Sequence, residues 1–332
     1  STYPLVTHAG TEEARRAGRV YLGILLGTSI GFQLLAILWT WNVTGSLDFR
    51  EGGLLAGEVS GPAVALLLAL YVFGIGKAAV MPFHRWLPAA MVAPTPVSAL
   101  LHAVAVVKSG VFAILKVCVY LFGLDFLTDT GAGDWLLYFA GATILVGTLV
   151  AMRKDNLKAR LAYSTISQLS YIVAGALLAS SLAATGAAMH IAMHAFGKIT
   201  LFFCAGAIMV AAHKTEISDM DGLGRVMPLT FAAFFIGSLS IIGLPPAGGT
   251  WSKLYLAMGA LEAGQVWMLA VLMVSSVLSI AYLLPIPVRA FLAKPAGELP
   301  AGIHEAPVPC LIAIGITSLG CLALFFFPDL LY

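Results

Sequence analysis

The feature that most constrains the fold of this chain is a series of apolar segments, each long enough to cross about 30 Å of hydrocarbon. Nine such segments follow one another along the 332 residues, with short polar stretches between them. A segment inside a bilayer must satisfy its own backbone hydrogen bonds, so each is predicted to be a helix. The pattern therefore predicts an all-α, polytopic membrane helix bundle of about nine transmembrane helices. The predicted segments are 20–42, 60–82, 92–122, 134–152, 160–180, 184–211, 228–260, 266–289 and 307–328.

The composition excludes an ordinary soluble domain. Hydrophobic residues make up 60% of the chain and charged residues 10%, with a mean hydropathy of +0.96, whereas soluble domains average about 25% charged residues. The net charge of +2 and the lack of a basic run give no indication of nucleic-acid binding. The cysteines lie in apolar runs without CxxC spacing, which favours small buried side chains over disulfides or metal ligands. They are Cys118, Cys204, Cys310 and Cys321.

Charged residues alternate between successive loops and predict an orientation. Basic loops face the cytoplasm, and every second loop is basic while the others are acidic, with Arg50 as their only base. The chain is therefore expected to start inside and end outside, as nine spans require. The basic set is Arg15, Arg16, Arg19, Arg85, Arg153, Lys154, Lys158, Arg160, Lys214, Arg225, Arg289 and Lys294, and the acidic set is Asp48, Glu51, Glu58, Asp125, Asp129, Asp134 and Glu262.

Two hydrophobic stretches contain helix breakers. "APTPVSALLHA" (93–103) and "IIGLPPAGGTWSK" (241–253) place prolines and glycines at or within predicted spans. Non-helical backbone at membrane depth is tolerated only where protein or water covers it, and transporters build their sites there. We therefore expect broken helices near the functional region.

The spans contain bases but no acids. All sixteen Asp and Glu residues fall in loops or at span edges, whereas a sodium or calcium site would use carboxylate oxygens. Nitrogen bases suit protons instead, because burial makes a lysine release its proton more readily and histidine titrates near neutral pH. We interpret the pattern as a proton relay. The bases within the spans are Lys77, His102, Lys108, Lys116, His190, His194, Lys198 and Lys253.

The spacing of these bases supports a relay. His190, His194 and Lys198 recur every four residues, so they stack along one helix face at about 6 Å of rise. His102 and Lys108 are separated by about 9 Å on another helix, a gap that water can bridge.

Simpler interpretations exist for individual bases. Lys116 and Lys253 are equally consistent with side chains that snorkel to the interface, and His84 and Arg85 with interfacial anchors. His190 and His194 have the spacing of a zinc pair, but two ligands are too few and Lys198 on the same face would repel a metal. The simple alternative for His102 is a hydrogen bond to a backbone carbonyl.

Four long sequence blocks carry a resemblance that extends over nearly all of the chain. They are "GKAAVMPFHRWLPAAMVAPTPVSALLHAVAVVKSGVFAILK" (76–116), "NLKARLAYSTISQLSYI" (156–172), "MHIAMHAFGKITLFFCAGAI" (189–208) and "GLGRVMPLTFAAFFIGSLSIIGLPPAGGTWSKLYL" (222–256). In this order they resemble the proton-translocating antiporter-like subunits of respiratory complex I and of Mrp-type multisubunit sodium/proton antiporters. "EAPVP" (305–309) and "MPLTFAAFFIGSLSIIGLPP" (227–246) look closer to the Mrp D-type subunit.

The resemblance implies fourteen helices that contain two inverted five-helix repeats, each with one broken helix. On that template, residues 1–122 hold the end of helix five and the rest of the first repeat, and 123–290 hold the second repeat. Residues 291–332 hold a C-terminal loop and the last helix. The family's helix-five glutamate, which pairs with the lysine at position 77, would lie before Ser1. The chain is therefore expected to be an N-terminally truncated fragment that does not pump normally alone.

The resemblance also implies roles for the bases. Lys77 would be the switching lysine of the first broken helix, Lys198 would bridge the two halves, and Lys253 would hand the proton onward. His102 and Lys108 match the polar residues of helix eight, and His190 and His194 lie with Lys198 on helix eleven. One departure is Asn156, where relatives often carry Asp. The neighbouring Asp155 is expected to cover that role.

The predicted function is a proton-translocating subunit of an Mrp-type monovalent cation/proton antiporter in the bacterial inner membrane. Its predicted partners are other membrane subunits, protons and Na⁺. The alternative is an antiporter-like pumping subunit of an NADH:quinone oxidoreductase or a related redox complex. The sequence has no iron–sulfur cysteine spacing and no Rossmann glycine pattern, so no cofactor is expected here. A third interpretation is a scaffold subunit that conducts no protons.

Overall fold

The computed structural model describes residues 2–295 and 303–331, and there the chain is an all-α membrane helix bundle. Each predicted apolar segment coincides with one helix or with a pair of helices that meet at a break. In the described part, β-type pairing is limited to one isolated bridge between Asn156 and Glu216. The helices are α1 (Glu12–Thr44), α2 (Pro62–Gly74), α3 (Thr95–Phe122), α4 (Asp134–Arg153), α5 (Leu157–Leu177), α6 (Ser181–Ala212), α7 (Pro228–Ile242), α8 (Gly249–Glu262), α9 (Val266–Leu292) and α10 (Val308–Phe326).

Most of these helices are long and apolar enough to cross a membrane. By length and composition this holds for α1, α3, α4, α6, α9 and α10. The apolar helices α2 and α7 are shorter, because each is one half of a broken helix. The 21-residue α5 is long enough but carries many hydroxyl side chains. Its polarity is relevant to the site described below.

The first break comes earlier than the sequence pattern predicted. The segment 60–82 was expected as one span, but α2 ends at Gly74 and a single 3₁₀ turn, Gly76–Ala78, follows. A Cβ at Gly74 would lie 2.4 Å from the Gln33 backbone nitrogen of α1, so only glycine fits this crossing. The Trp86 indole donates to the Gly76 carbonyl at 2.9 Å. Tertiary contacts thus satisfy the polar backbone of the break.

The second break lies where the prolines and glycines predicted it. α7 stops before Gly243, whose φ of 87° favours glycine, and the chain resumes helix at Gly249. A Cβ at Gly249 would lie 1.8 Å from the Ser240 carbonyl oxygen. The two halves therefore pack against each other closely, which exposes carbonyl groups at the break to polar side chains.

The 32-residue helix α6 occupies the centre of the bundle. It packs against α3, α5, α7, α8 and α10. Glycines allow the closest approach, since a Cβ at Gly259 of α8 would lie 2.4 Å from the Ala183 nitrogen of α6. The central position of α6 places its polar side chains among neighbouring helices and away from lipid.

Two sequence expectations outside the relay need correction. Asn156 itself caps α5, since its side chain accepts from Ala159 N at 3.1 Å and donates to Glu216 at 2.8 Å. Asp155 does not cover that role and instead accepts from the Ser218 hydroxyl at 2.6 Å. Cys310 was expected to be buried but is exposed, because it lies on the outer face of α10, whereas the other three cysteines are buried.

Candidate functional site

The predicted set of buried bases exists, and it contains no acid. His102 and Lys198 are 0% exposed, His190 and His194 are 1%, and Lys108 is 7%. No Asp or Glu belongs to the buried residues of the described chain. The ion pairs found there join side chains at the surface: Arg19 with Glu12, Lys214 with Asp219, and Arg289 with Asp221. The prediction of a carboxylate-free interior is confirmed for the described residues.

Lys108 and His194 form the tightest contact among these bases. Lys108 Nζ of α3 lies 2.6 Å from His194 Nδ1 of α6. Two positive charges at this distance in a dry site repel strongly, so at most one of the two groups is charged. His194 Nε2 is buried without a hydrogen-bond partner in the described structure, which makes it the free side of the pair.

His190 lies one turn from His194, with ring centroids 5.8 Å apart. Its Nδ1 is 2.8 Å from the Ser252 hydroxyl of α8, and its Nε2 is 3.1 Å from Gln168 Oε1 of α5. Because Gln168 presents an acceptor, His190 Nε2 carries the hydrogen, and Nδ1 accepts from the Ser252 hydroxyl. Both ring nitrogens are occupied, which leaves none for the zinc pair considered from the HxxxH spacing.

Lys253 lies at the second break and is partly buried. Its Nζ donates to the Ile242 carbonyl at 3.0 Å and to the Ser276 hydroxyl at 3.1 Å. The same nitrogen is 4.7 Å from the ring centroid of Tyr171, which stacks on His190 at 5.8 Å. Lys253 does not snorkel to the interface, since its contacts point into the bundle. Lys253 therefore follows Lys108, His194 and His190, and we call these four residues the row of bases.

Lys198 and His194 make different contacts within the buried set. Lys198 Nζ donates to the Leu161 carbonyl of α5 at 3.1 Å, and its role as the bridge between the two halves stays a prediction. The contact that joins α3 to α6 is made by His194, because it lies one helical turn closer to Lys108. Lys198 stays in the buried set as a neighbour of the row.

His102 is buried but makes no hydrogen bond to the others. Neither of its ring nitrogens has a partner in the described part of the chain, and its ring lies 5.3 Å from that of Phe202. It occupies the π-helical turn Leu100–Val104, a type of turn often found at functional sites. The simple interpretation, a bond to a backbone carbonyl, does not apply. Its free nitrogens suit a bridging water.

Lys77 is exposed, contrary to the expectation that it is buried. It lies on the 3₁₀ turn of the first break and lines an open cavity of about 500 Å³, together with Ser29, Gln33 and Ser109. Its backbone packs against Gly110 of α3, where an added Cβ would lie 2.8 Å from Lys77 Cβ. The burial prediction was wrong because α1 and α3 flank the turn without covering it.

The remaining polar residues considered from the sequence lie outside the row of bases. Lys116 Nζ lies 3.9 Å from the Phe49 ring centroid at the outer end of α3, so the interfacial interpretation fits it. His84 is partly buried and Arg85 is exposed, both between α2 and α3.

Sequence reasoning missed several neutral partners of the bases. Ser252, Gln168, Tyr171 and Ser276 all bond or contact a base directly. The signal was present in "STISQLSY" (164–171), which is unusually polar for a span. The search for charge overlooked it because these side chains are neutral.

Several known proteins are similar to this chain in sequence. A family model described as "NADH:quinone oxidoreductase/Mrp antiporter, TM" matches residues 1–279. NADH-quinone oxidoreductase subunit N of Desulforudis audaxviator is 34% identical over 349 aligned positions, which cover 99% of this chain and 68% of that protein. A probable K⁺/H⁺ antiporter subunit of Rhizobium meliloti is 33% identical over 324 positions, which cover 95% of this chain and 32% of that protein.

A solved structure has the same architecture. A chain of the Mrp complex from Dietzia sp. DQ12-45-1b superposes with a TM-score of 0.87 at 26% identity, covering 99% of this chain and 69% of that chain. The sequence therefore spans about two thirds of the Desulforudis and Dietzia proteins and about a third of the Rhizobium protein.

Proposed function

The chain belongs to the NADH:quinone oxidoreductase/Mrp antiporter transmembrane family, and from that premise we propose that it translocates protons as a subunit of an Mrp-type monovalent cation/proton antiporter. The observation that supports this most directly is the row Lys108–His194–His190–Lys253, which crosses the bundle without a buried acid among the described residues. We also propose Na⁺ as the exchanged cation, the bacterial inner membrane as the location, and a D-type role within the complex.

The proposed organisation follows the two breaks. Residues 1–122 contain the first broken helix with Lys77, and 123–290 contain the second with Lys253. Residues 291–332 add the last helix. In this arrangement the two lysines occupy equivalent places in two inverted repeats, and α6 connects them.

Proton transfer along the row uses ordinary acid–base steps. Lys77 receives a proton at the open cavity and passes it through water toward Lys108. The Lys108 ammonium then gives a proton to His194 Nδ1, and one N–H bond breaks as the other forms. His194 releases a proton from Nε2 toward His190, whose Nδ1 is the accepting nitrogen. His190 passes the proton to Lys253, which releases it toward the exterior along α8.

The test compares two lysines of the same helix. In membrane vesicles that contain the complete complex, Lys108→Ala should abolish Na⁺-dependent proton exchange, measured with a pH-sensitive dye. Lys116→Ala is the matched control, because Lys116 contacts Phe49 outside the row, and it should retain exchange. Lys77→Ala should also abolish exchange. Normal exchange in Lys108→Ala and Lys77→Ala would refute the relay and leave the scaffold interpretation.

A pumping subunit of a complex I-like enzyme is the second candidate. It is favoured by the subunit N relative, which matches almost the whole chain. In that case the purified complex would contain redox subunits, and its proton uptake would depend on NADH or quinone and not on Na⁺. Proton transport by the Lys108→Ala and Lys77→Ala variants, measured once with Na⁺ and once with NADH or quinone, separates the two candidates.

A further inference from the structure

We propose that a row of buried and partly buried hydroxyl groups between α5 and α9 forms a second proton route, which connects Lys253 to the cytoplasmic face. This inference rests on the proposed proton translocation and adds a branch to it. We name this row the hydroxyl lane. Its members are Ser164 and Ser167 of α5 and Ser275, Ser276, Ser279 and Tyr282 of α9.

The lane begins at Lys253. Lys253 Nζ donates to the Ser276 hydroxyl at 3.1 Å, and the Tyr171 hydroxyl lies 3.2 Å from the same oxygen. A hydroxyl can donate and accept at once, so Ser276 can pass a proton to Lys253 and be refilled from the next group.

The middle of the lane joins three helices. Thr148 Oγ1 of α4 lies 2.8 Å from the Ser275 hydroxyl and 2.9 Å from the Ser167 hydroxyl, and these two serines are 3.4 Å apart. All three side chains are 0% exposed. The cluster is adjacent to Ser276 in the chain and continues the polar row toward the basic loops.

The far end of the lane lies one to two turns further along α9. The Tyr282 hydroxyl donates to Ser164 Oγ at 2.9 Å and lies 3.2 Å from the Ser279 hydroxyl. Ser275, Ser279 and Tyr282 share one helix face, and the rise from Ser276 to Tyr282 is about 9 Å. The remaining turn of about 6 Å separates the middle cluster from this end, and the proposal requires one bridging water there.

The lane ends at the basic loop that precedes α5. Arg160 Nη1 donates to the Tyr282 carbonyl at 3.0 Å, and Arg160 Nε donates to the Lys154 carbonyl at 2.8 Å. Arg160 and Lys154 belong to a region whose bases indicate the cytoplasmic side. The lane therefore covers the depth between Lys253 at the break and the cytoplasmic surface.

These contacts differ from ordinary back-bonding of hydroxyls within membrane helices. Thr165 and Ser238 show the ordinary pattern, since each donates to the carbonyl four residues earlier. Ser164, Ser167, Ser275, Ser276 and Tyr282 each contact a hydroxyl of another helix, whereas Ser279 bonds within α9, to the Tyr282 hydroxyl and to the Ser275 carbonyl. When a proton is transferred along the lane, each oxygen gains one proton as it loses another. Every hydroxyl therefore stays neutral. The net result is one proton taken from cytoplasmic water and one N–H bond formed at Lys253.

The test removes one hydroxyl bond at the far end of the lane. In vesicles with the complete complex, Tyr282→Phe and Ser164→Ala should each lower proton exchange by about fivefold, the factor that corresponds to one hydrogen bond. The double variant should be no worse than either single variant, because both break the same bond. Two control variants, Tyr71→Phe and Ser170→Ala, should exchange normally. Tyr71 is a buried tyrosine bonded to Thr40 at 2.8 Å, and the Ser170 hydroxyl is buried without a partner among the described residues.

The outcomes separate the lane from the relay and from a structural role. Complex content and thermal stability are measured for every variant. Loss of exchange at normal content and stability supports the lane. Normal exchange in Tyr282→Phe and Ser164→Ala, with loss in Lys108→Ala and Lys253→Ala, overturns the lane and leaves the proposed function intact. If the lane variants and Tyr71→Phe all lose exchange together with stability, the lane is overturned, and its hydroxyls serve helix packing. If no variant changes exchange, the relay fails and the lane fails with it.

Discussion

Lys108 and His194 lie on different helices, and their side-chain nitrogens are 2.6 Å apart in an interior with no described buried acid. The second ring nitrogen of His194 has no hydrogen-bond partner among the described residues. This contact joins α3 to α6, and charge repulsion in a dry site allows at most one of the two bases to be charged.

Removing one member of this pair should destabilise the protein more than removing both. His194→Leu leaves the buried Lys108 ammonium without an acceptor, which costs about 1–3 kcal/mol or more. The double variant Lys108→Met with His194→Leu replaces both groups by apolar ones and should recover most of that loss. Thermal unfolding of the purified complex measures this, while exchange stays abolished in every variant. Additive losses in the double variant would contradict the pairing.

Gly243→Ala should displace Lys253. Gly243 has a φ of 87°, and an added Cβ would lie 2.7 Å from Lys253 Cδ. The backbone penalty alone is about 1–2 kcal/mol. Gly264→Ala is the matched control, since Gly264 has a φ of 68° and nothing within 4 Å of an added Cβ. Both variants should lose stability, but exchange should fall only in Gly243→Ala. Equal exchange in the two would argue against a role for the position of Lys253.

Glu305→Ala should loosen the start of α7. Glu305 accepts from the Leu229 backbone nitrogen at 2.9 Å and from the Thr230 hydroxyl, so it caps this helix from the loop before α10. Loss of a cap with favourable charge costs about 0.5–2 kcal/mol. Glu262→Ala, at an exposed carboxylate, should change stability by less than about 0.5 kcal/mol. Thermal unfolding of both variants checks this, and equal shifts would reject the cap.

Trp86→Phe should weaken the first break. The Trp86 side chain is 0% exposed and donates to the Gly76 carbonyl beside Lys77. Phenylalanine keeps an aromatic ring but removes one of the two donors to that carbonyl, which retains the Ala79 N–H, at a cost of about 0.5–1.5 kcal/mol. Trp41→Phe, at a 55% exposed position, is the control and should unfold at the native temperature. A normal unfolding temperature in Trp86→Phe would show that the bond does not hold the break.

The sequence predicted the helices well because each depends on a local property. A run of apolar residues must form a helix in a bilayer, and the glycines and prolines of 241–253 mark the second break. The first break was placed too late because Gly74 and Trp86 set it through contacts with Gln33 and Gly76. Such contacts between helices leave no periodic signal in the sequence.

The chain by itself determined that nitrogen bases, and not acids, lie within the spans, because residue type and hydropathy are properties of single positions. Only the tertiary structure decided which bases meet. His194 contacts Lys108, Lys77 faces a cavity, and neutral side chains such as Ser252 and Tyr171 contact the other bases. The reason is that contact between helices depends on their rotation and depth, and a shift of one turn changes which side chains lie within hydrogen-bond distance.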